Sequence, residues 1–146
     1  MSTLQINPKY HDFVDAIEAK MNDVGCDEFE MSDFFCGGMY VRTIFIPAGS
    51  YLTSKIHKFE HTFFIAEGNI TIFTEDGGEE TLEAPYLGIT TPGTRRFARC
   101  NTNTIWTTHH RVEGHTAEEV EKEIIMTRIE HLKLQEGAIC RGSELE

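Results

Sequence analysis

Between Tyr40 and His110 the chain is interrupted too often for either a long helix or a long strand. Breaks fall at Pro47-Ala48-Gly49, Gly68-Asn69, Asp76-Gly77-Gly78, Pro85 and Pro92-Gly93, close to the roughly ten-residue rhythm of small barrels and sandwiches. The runs between them are β-branched and aromatic, as in Met39-Tyr40-Val41-Arg42-Thr43-Ile44-Phe45-Ile46 and Thr62-Phe63-Phe64-Ile65, which suits a pleated, half-buried surface. The pattern predicts a mainly β core of short strands over residues 35–112.

On either side the period changes. Residues 10–22 repeat as a helix, with Phe13, Ile17 and Met21 on one face and Val14 beside them. Asn7-Pro8 before this helix and Gly25 after it are start and stop signals. Thr116-Ala117-Glu118-Glu119 is a capping box opening the C-terminal segment, residues 116–146. That segment is expected to begin as a short helix, while Ile124-Ile125-Met126-Thr127 suits helix or strand equally. Residues 141–146 are expected to be unstructured. A chain of 146 residues is expected to form one domain over 1–146.

The balance of 13 basic against 24 acidic residues leaves a net charge of −11. Such a chain repels phosphate backbones, and Arg95, Arg96 and Arg99 are too small a cluster to track one. No nucleic-acid partner is expected. No apolar run approaches the ~20 residues of a membrane span, and the N-terminus lacks a basic flank before an apolar stretch. A cytoplasmic protein with no membrane partner is expected. Cys26, Cys36, Cys100 and Cys140 show no metal or disulfide spacing.

His57-Lys58-Phe59-Glu60-His61 lies where two short strands meet. Its H-x-x-E-H order matches inverted zinc peptidases. That chemistry needs a helix to put both imidazoles on one ion, and the flanking Gly49, Thr62-Phe63-Phe64-Ile65 and Gly68 oppose one. In a straight strand the two rings would lie ~13 Å apart. They converge only if the chain bends between them. A third imidazole is available from Thr104-Ile105-Trp106-Thr107-Thr108-His109-His110, where strand alternation sets Trp106, Thr108 and His110 on one face and His109 on the other. Glu60, by the same alternation, points away from His57 and His61. His11, His115 and His131 fall outside the barrel pattern and are expected at the surface.

The spacing Gly49…His57…His61…Gly68 resembles the first motif of the cupin superfamily. Anchored on Gly68, the motif's glutamate falls on His61, its second histidine on His57, and its first on Lys55. The second motif aligns with Pro85 to Arg96, with Pro92 displaced by one and Arg96 where the metal-binding histidine stands. The blocks Gly-Met-Tyr-Val-Arg, Lys-Ile-His-Lys, Pro-Gly-Thr-Arg-Arg and Trp-Thr-Thr-His-His also resemble small cupin-like proteins of phage and bacterial genomes, over about Phe35 to Val112. In those proteins the last block ends in a single histidine at the position of His110.

The resemblance implies a cupin-like antiparallel β-barrel or jelly roll, with an N-terminal helix and a short C-terminal helical segment. It implies a divalent transition ion, zinc, iron or manganese, held by His57, His61 and His110. Lys55 and Arg96 would then face a small anionic molecule, with Trp106 as a further ligand-binding candidate. Barrel edges that need covering make a homodimer the expected assembly. The competing expectation is a metal-free module that captures a small anionic metabolite or nucleotide without turnover, since Lys55 and Arg96 replace two of the four usual ligands. An assembly role is compatible with the acidic surface, but nothing in the sequence points to it.

Overall fold

The structure is a computed structural model and describes residues 8–24, 29–74 and 77–126. A first helix, α1 (Pro8–Val24), precedes ten strands: β1 (Glu30–Cys36), β2 (Met39–Ile46), β3 (Tyr51–Thr53), β4 (Ile56–His57), β5 (His61–Glu67), β6 (Asn69–Phe73), β7 (Glu79–Glu83), β8 (Tyr86–Thr90), β9 (Phe97–Cys100) and β10 (Thr104–Arg111). A second helix, α2 (Ala117–Ile124), runs directly into a last strand, β11 (Ile125–Met126). Thus the ambiguous stretch at Ile124 divides between the two states the sequence allows.

All strand pairs are antiparallel. One sheet has the order β1-β2-β10-β5-β8, a second β3-β9-β6-β7, and β11 pairs with β4 alone. The two larger sheets close on a shared core. Ile46, Phe63 and Ile65 come from the first, and Ile70, Ile72, Leu82, Ala98 and Cys100 from the second. Ile65 and Ile70 are fully buried, and each contributes about 1.5–3 kcal/mol on leaving water. Gly68, at φ +124°, turns the chain between β5 and β6 against β10. A Cβ there would lie 2.4 Å from Thr104 Oγ1, so this corner accepts only glycine.

Helix α1 lies against the outer face of the second sheet. Its buried residues are Tyr10, His11 and Val14, and Tyr10 and Val14 pack with Phe97. Val14 and Ile17 of the expected face pack here, but the face is centred on Tyr10 and Val14 rather than on Phe13. Phe13 is half exposed, at 50%, and the side chain of Met21 lies outside the described residues. The polar reach of Tyr10 decides the rotation: its hydroxyl donates to the Phe73 carbonyl and accepts from the Phe97 amide, both at 3.0 Å. Arg95, buried, ion-pairs with Asp15 and Glu18 on the same helix. His11 is likewise corrected from the surface to full burial, beneath the helix and edge-on to the Tyr10 ring. His115 is exposed, whereas His131, Cys26, Cys140 and residues 141–146 lie outside the described residues. No helix among the described residues is long and apolar enough to cross a membrane.

Candidate metal and anion site

The registers of the first sheet build one end of its inner face. β10 pairs with β2 so that Thr108 opposes Arg42 and His110 opposes Tyr40. It pairs with β5 so that Thr108 opposes Phe63 and His109 opposes Thr62, and β5 places His61 opposite Thr90 of β8. The alternation along each strand therefore turns Tyr40, Arg42, His61, Phe63, Thr90, Thr108 and His110 the same way. His109 faces outward, where its Nδ1 bonds Thr62 Oγ1 at 3.1 Å.

His57 arrives from outside this sheet. It ends β4, and the chain bends through Lys58, Phe59 and Glu60 before β5 begins at His61. Pairing of Ile125 with His57 and a 3.0 Å bond from the Gly93 amide to the His57 carbonyl hold that end in place. The bend removes the ~13 Å separation of a straight strand. Ring centroids lie 4.5 Å apart for His57 and His61, 5.1 Å for His57 and His110, and 4.3 Å for His61 and His110.

One potential ligand atom from each of the three rings lies within 4.8 Å of the others. Nitrogens around a tetrahedral ion with 2.0–2.1 Å bonds stand about 3.3 Å apart, so a small closing of the rings brings all three to one ion. Each ring has a neighbour that orients it. His61 Nδ1 is 3.3 Å from the Phe59 carbonyl, His110 Nε2 is 3.0 Å from Thr108 Oγ1, and the His57 ring stacks on that of His110. Each ring thus retains a second nitrogen for a ligand, the usual division of labour in a metal-bound imidazole. Burial, followed by the proximity of His61, pushes both His57 and His110 down to about 3. Burial also lowers His61. The rings are therefore neutral at pH 7, the form that binds metal. These three histidines could hold a metal ion.

They line a cavity of about 300 Å³, together with Lys55, Arg96 and Trp106. Arg96 donates through Nη1 to Thr90 Oγ1 at 2.9 Å, and its guanidinium lies over the Phe63 ring, 5.1 Å from the centroid. The stack continues, because Trp106 lies flat on Phe63 with centroids 4.5 Å apart. Lys55 is exposed at the rim, where Nζ bonds Glu121 of α2 at 2.5 Å. The basic run divides three ways: Arg95 to α1, Arg96 to the cavity, and Arg99 to Asn101.

Arg42 and Tyr40 also line this cavity, and the sequence reading passed over both. The signal for them was parity: Tyr40, Arg42, Ile44 and Ile46 alternate along β2, and an arginine in an inward-facing series has a reason to be there.

No protein-family model matches the chain, and no curated protein matches it. Solved structures do resemble it. An ectoine synthase from P. lautus aligns at 15% identity over 67% of this chain and 75% of that one, with a TM-score of 0.52. An uncharacterized conserved protein with a double-stranded β-helix domain from Klebsiella pneumoniae aligns at 16% over 62% and 79%, with a TM-score of 0.51. A cupin-2 domain containing protein from Shewanella frigidimarina aligns at 9% over 64% and 91%, at 0.48. The chain has the cupin fold. Fold alone assigns no chemistry.

Proposed function

We propose that this cupin binds one divalent transition ion through His57, His61 and His110 and takes a small anionic molecule beside it. The observation that carries the reading is the convergence of three neutral, oriented imidazoles in one cavity. An ion held there would supply Lewis acidity or oxygen activation at its open positions. Arg96 argues for the anion. A permanent cation facing a metal ion is repelled, increasingly so as the local dielectric falls, unless a carboxylate or phosphate lies between them. Its guanidinium also offers a planar fork suited to either group. Ectoine synthase shows that the fold can carry enzymatic chemistry, so turnover is compatible with this site.

The second reading is a metal-free anion-binding module. It is favoured by Arg96, which has no carboxylate within ion-pair distance among the described residues. Elemental analysis of protein purified without chelator separates the two. Near one zinc, iron or manganese per chain, lost in the His57→Ala/His61→Ala double variant, supports the metal site. Absence of metal, with no uptake of Zn²⁺, Mn²⁺ or Fe²⁺, leaves the binding module.

A further inference from the structure

Arg42 and Arg96 line the same cavity. Arg42 sits on β2 opposite Thr108, Thr108 opposes Phe63 on β5, and Arg96 lies over the Phe63 ring. Two strand spacings separate the backbones of Arg42 and Phe63, about 10 Å, with Thr108 and His110 between.

Arg42 is held by a relay. Its Nε donates to the Tyr40 hydroxyl at 2.9 Å, and that hydroxyl donates to Asp33 Oδ2 at 2.6 Å. Tyr40 is 2% exposed. Burial, reinforced by the bond to Asp33, pushes its hydroxyl up to about 12, so it remains a neutral donor and acceptor. Only one of the guanidinium nitrogens is used in this way, which leaves the outer edge of the fork for another partner.

Among the described residues, neither Arg42 nor Arg96 has a carboxylate within ion-pair distance. Asp33 reaches Arg42 through Tyr40, and Glu121 is hydrogen-bonded to Lys55. In a chain of net charge −11, two guanidiniums without a direct ion pair on one small cavity are a local exception, although Glu121 also lines it and Asp33 stands opposite Arg42 in register. Between them the wall is apolar, with Ile44, Ile46, Leu52 and Trp106 among its lining.

We infer that the cavity selects a small dianion, a short carbon body carrying an anionic group at each end, with one end at Arg96 and the other at Arg42. This deepens the proposed function by naming the ligand class and a second anchor, and it rests on the anion half of that reading but not on the metal. A cavity of about 300 Å³ is at the lower limit for ligand sites, which favours a compact molecule. Tyr40 is a positioning residue, acting through Arg42.

Calorimetric titration with succinate, phosphoglycolate and butyrate tests this, on protein as purified and after chelator treatment. Succinate or phosphoglycolate should bind roughly ten- to a hundred-fold more tightly than butyrate, the range of one charged hydrogen-bonded anchor. The better of the two probes distinguishes a dicarboxylate from a phosphorylated acid. Arg42→Ala should erase the preference, weakening the two-ended anions more than butyrate. Arg42→Lys should restore part of it, and Tyr40→Phe should reduce it without affecting butyrate. Circular dichroism melting establishes that each variant is folded. Equal binding of butyrate and both dianions, a preference that survives Arg42→Ala, or no binding by either dianion overturns the inference. Loss of metal binding with the dianion preference intact defeats only the metal reading.

Discussion

His61 and His110 stand side by side across the seam of β5 and β10, with ring centroids 4.3 Å apart. Their strands pair through His109 and Thr62, one step away. Backbone register thus preforms two of the three candidate ligands, and His57 completes the set from β4. Loss of any one imidazole should weaken Zn²⁺ binding by more than about 100-fold, beyond the 10–100-fold that follows loss of an orienting partner. Thr108→Val, which removes the neighbour of His110 Nε2, should fall within that smaller range. Competition with a chromophoric chelator measures both. Equal affinity in wild type and His61→Ala would remove the site.

The same three rings should make the metal-free protein acid-sensitive. Folded, His57 and His110 lie near 3 and His61 is lowered, with burial as the first cause in each. In the unfolded chain all three titrate near 6.5. Between those limits the unfolded chain binds more protons, so stability is full above about pH 6.5 and falls as the pH drops toward 3. Each ring that stays neutral contributes a slope of about 1.4 kcal/mol per pH unit. Urea midpoints after chelation should be lower at pH 5 than at pH 7.5, and the difference should shrink in His110→Gln. Identical midpoints would mean that the folded rings accept protons freely.

Much of this architecture was legible in the chain. Turn residues and β-branched runs mark the barrel because each strand is short and half-buried, so period and punctuation carry the information. The bend after His57 follows from neighbours that oppose a helix. The face of α1 followed only in part: Val14 and Ile17 pack as the period implies, but hydropathy ranks Phe13 above Tyr10, whereas the bonds of the Tyr10 hydroxyl to Phe73 and Phe97 set the rotation. His11 was misjudged for the same reason. Arg42 resembled an ordinary strand arginine because its significance depends on Asp33, Thr108 and Arg96, which only the sheet order brings near.

Arg96→Ala should weaken binding of a carboxylate or phosphate by about 1.5–3 kcal/mol and leave metal content unchanged. Arg96→Lys should recover only part, because the two-pronged geometry is lost. Gly88→Ala reaches the same residue indirectly. A Cβ there would lie 2.5 Å from Phe63 Cζ, displacing the ring beneath the guanidinium, and overpacking of this kind costs about 1–3 kcal/mol of stability. Anion titration and thermal melting should therefore both register Gly88→Ala, whereas only the titration should register Arg96→Lys. Unchanged anion affinity in Arg96→Ala would place the anion elsewhere.

Self-association is the remaining expectation, and its surface can be named. β1 and β8 form the two edges of the first sheet. All seven residues of β1 are exposed. On the outer face Leu87 and Ile89 of β8 are 68% and 60% exposed, beside Phe64, the register partner of Leu87, and Phe34 is 55% exposed at the other edge. Helix α1 covers the other sheet and leaves this face open. An apolar sheet face with an unpaired edge invites a second copy about a twofold axis, the symmetry in which one patch serves both partners. Light scattering after size exclusion should give twice the chain mass of 16.6 kDa. Leu87→Arg with Ile89→Arg should halve it without loss of metal, since both side chains point away from the cavity. A monomer mass for the wild type at micromolar concentration would mean that this face stays in water.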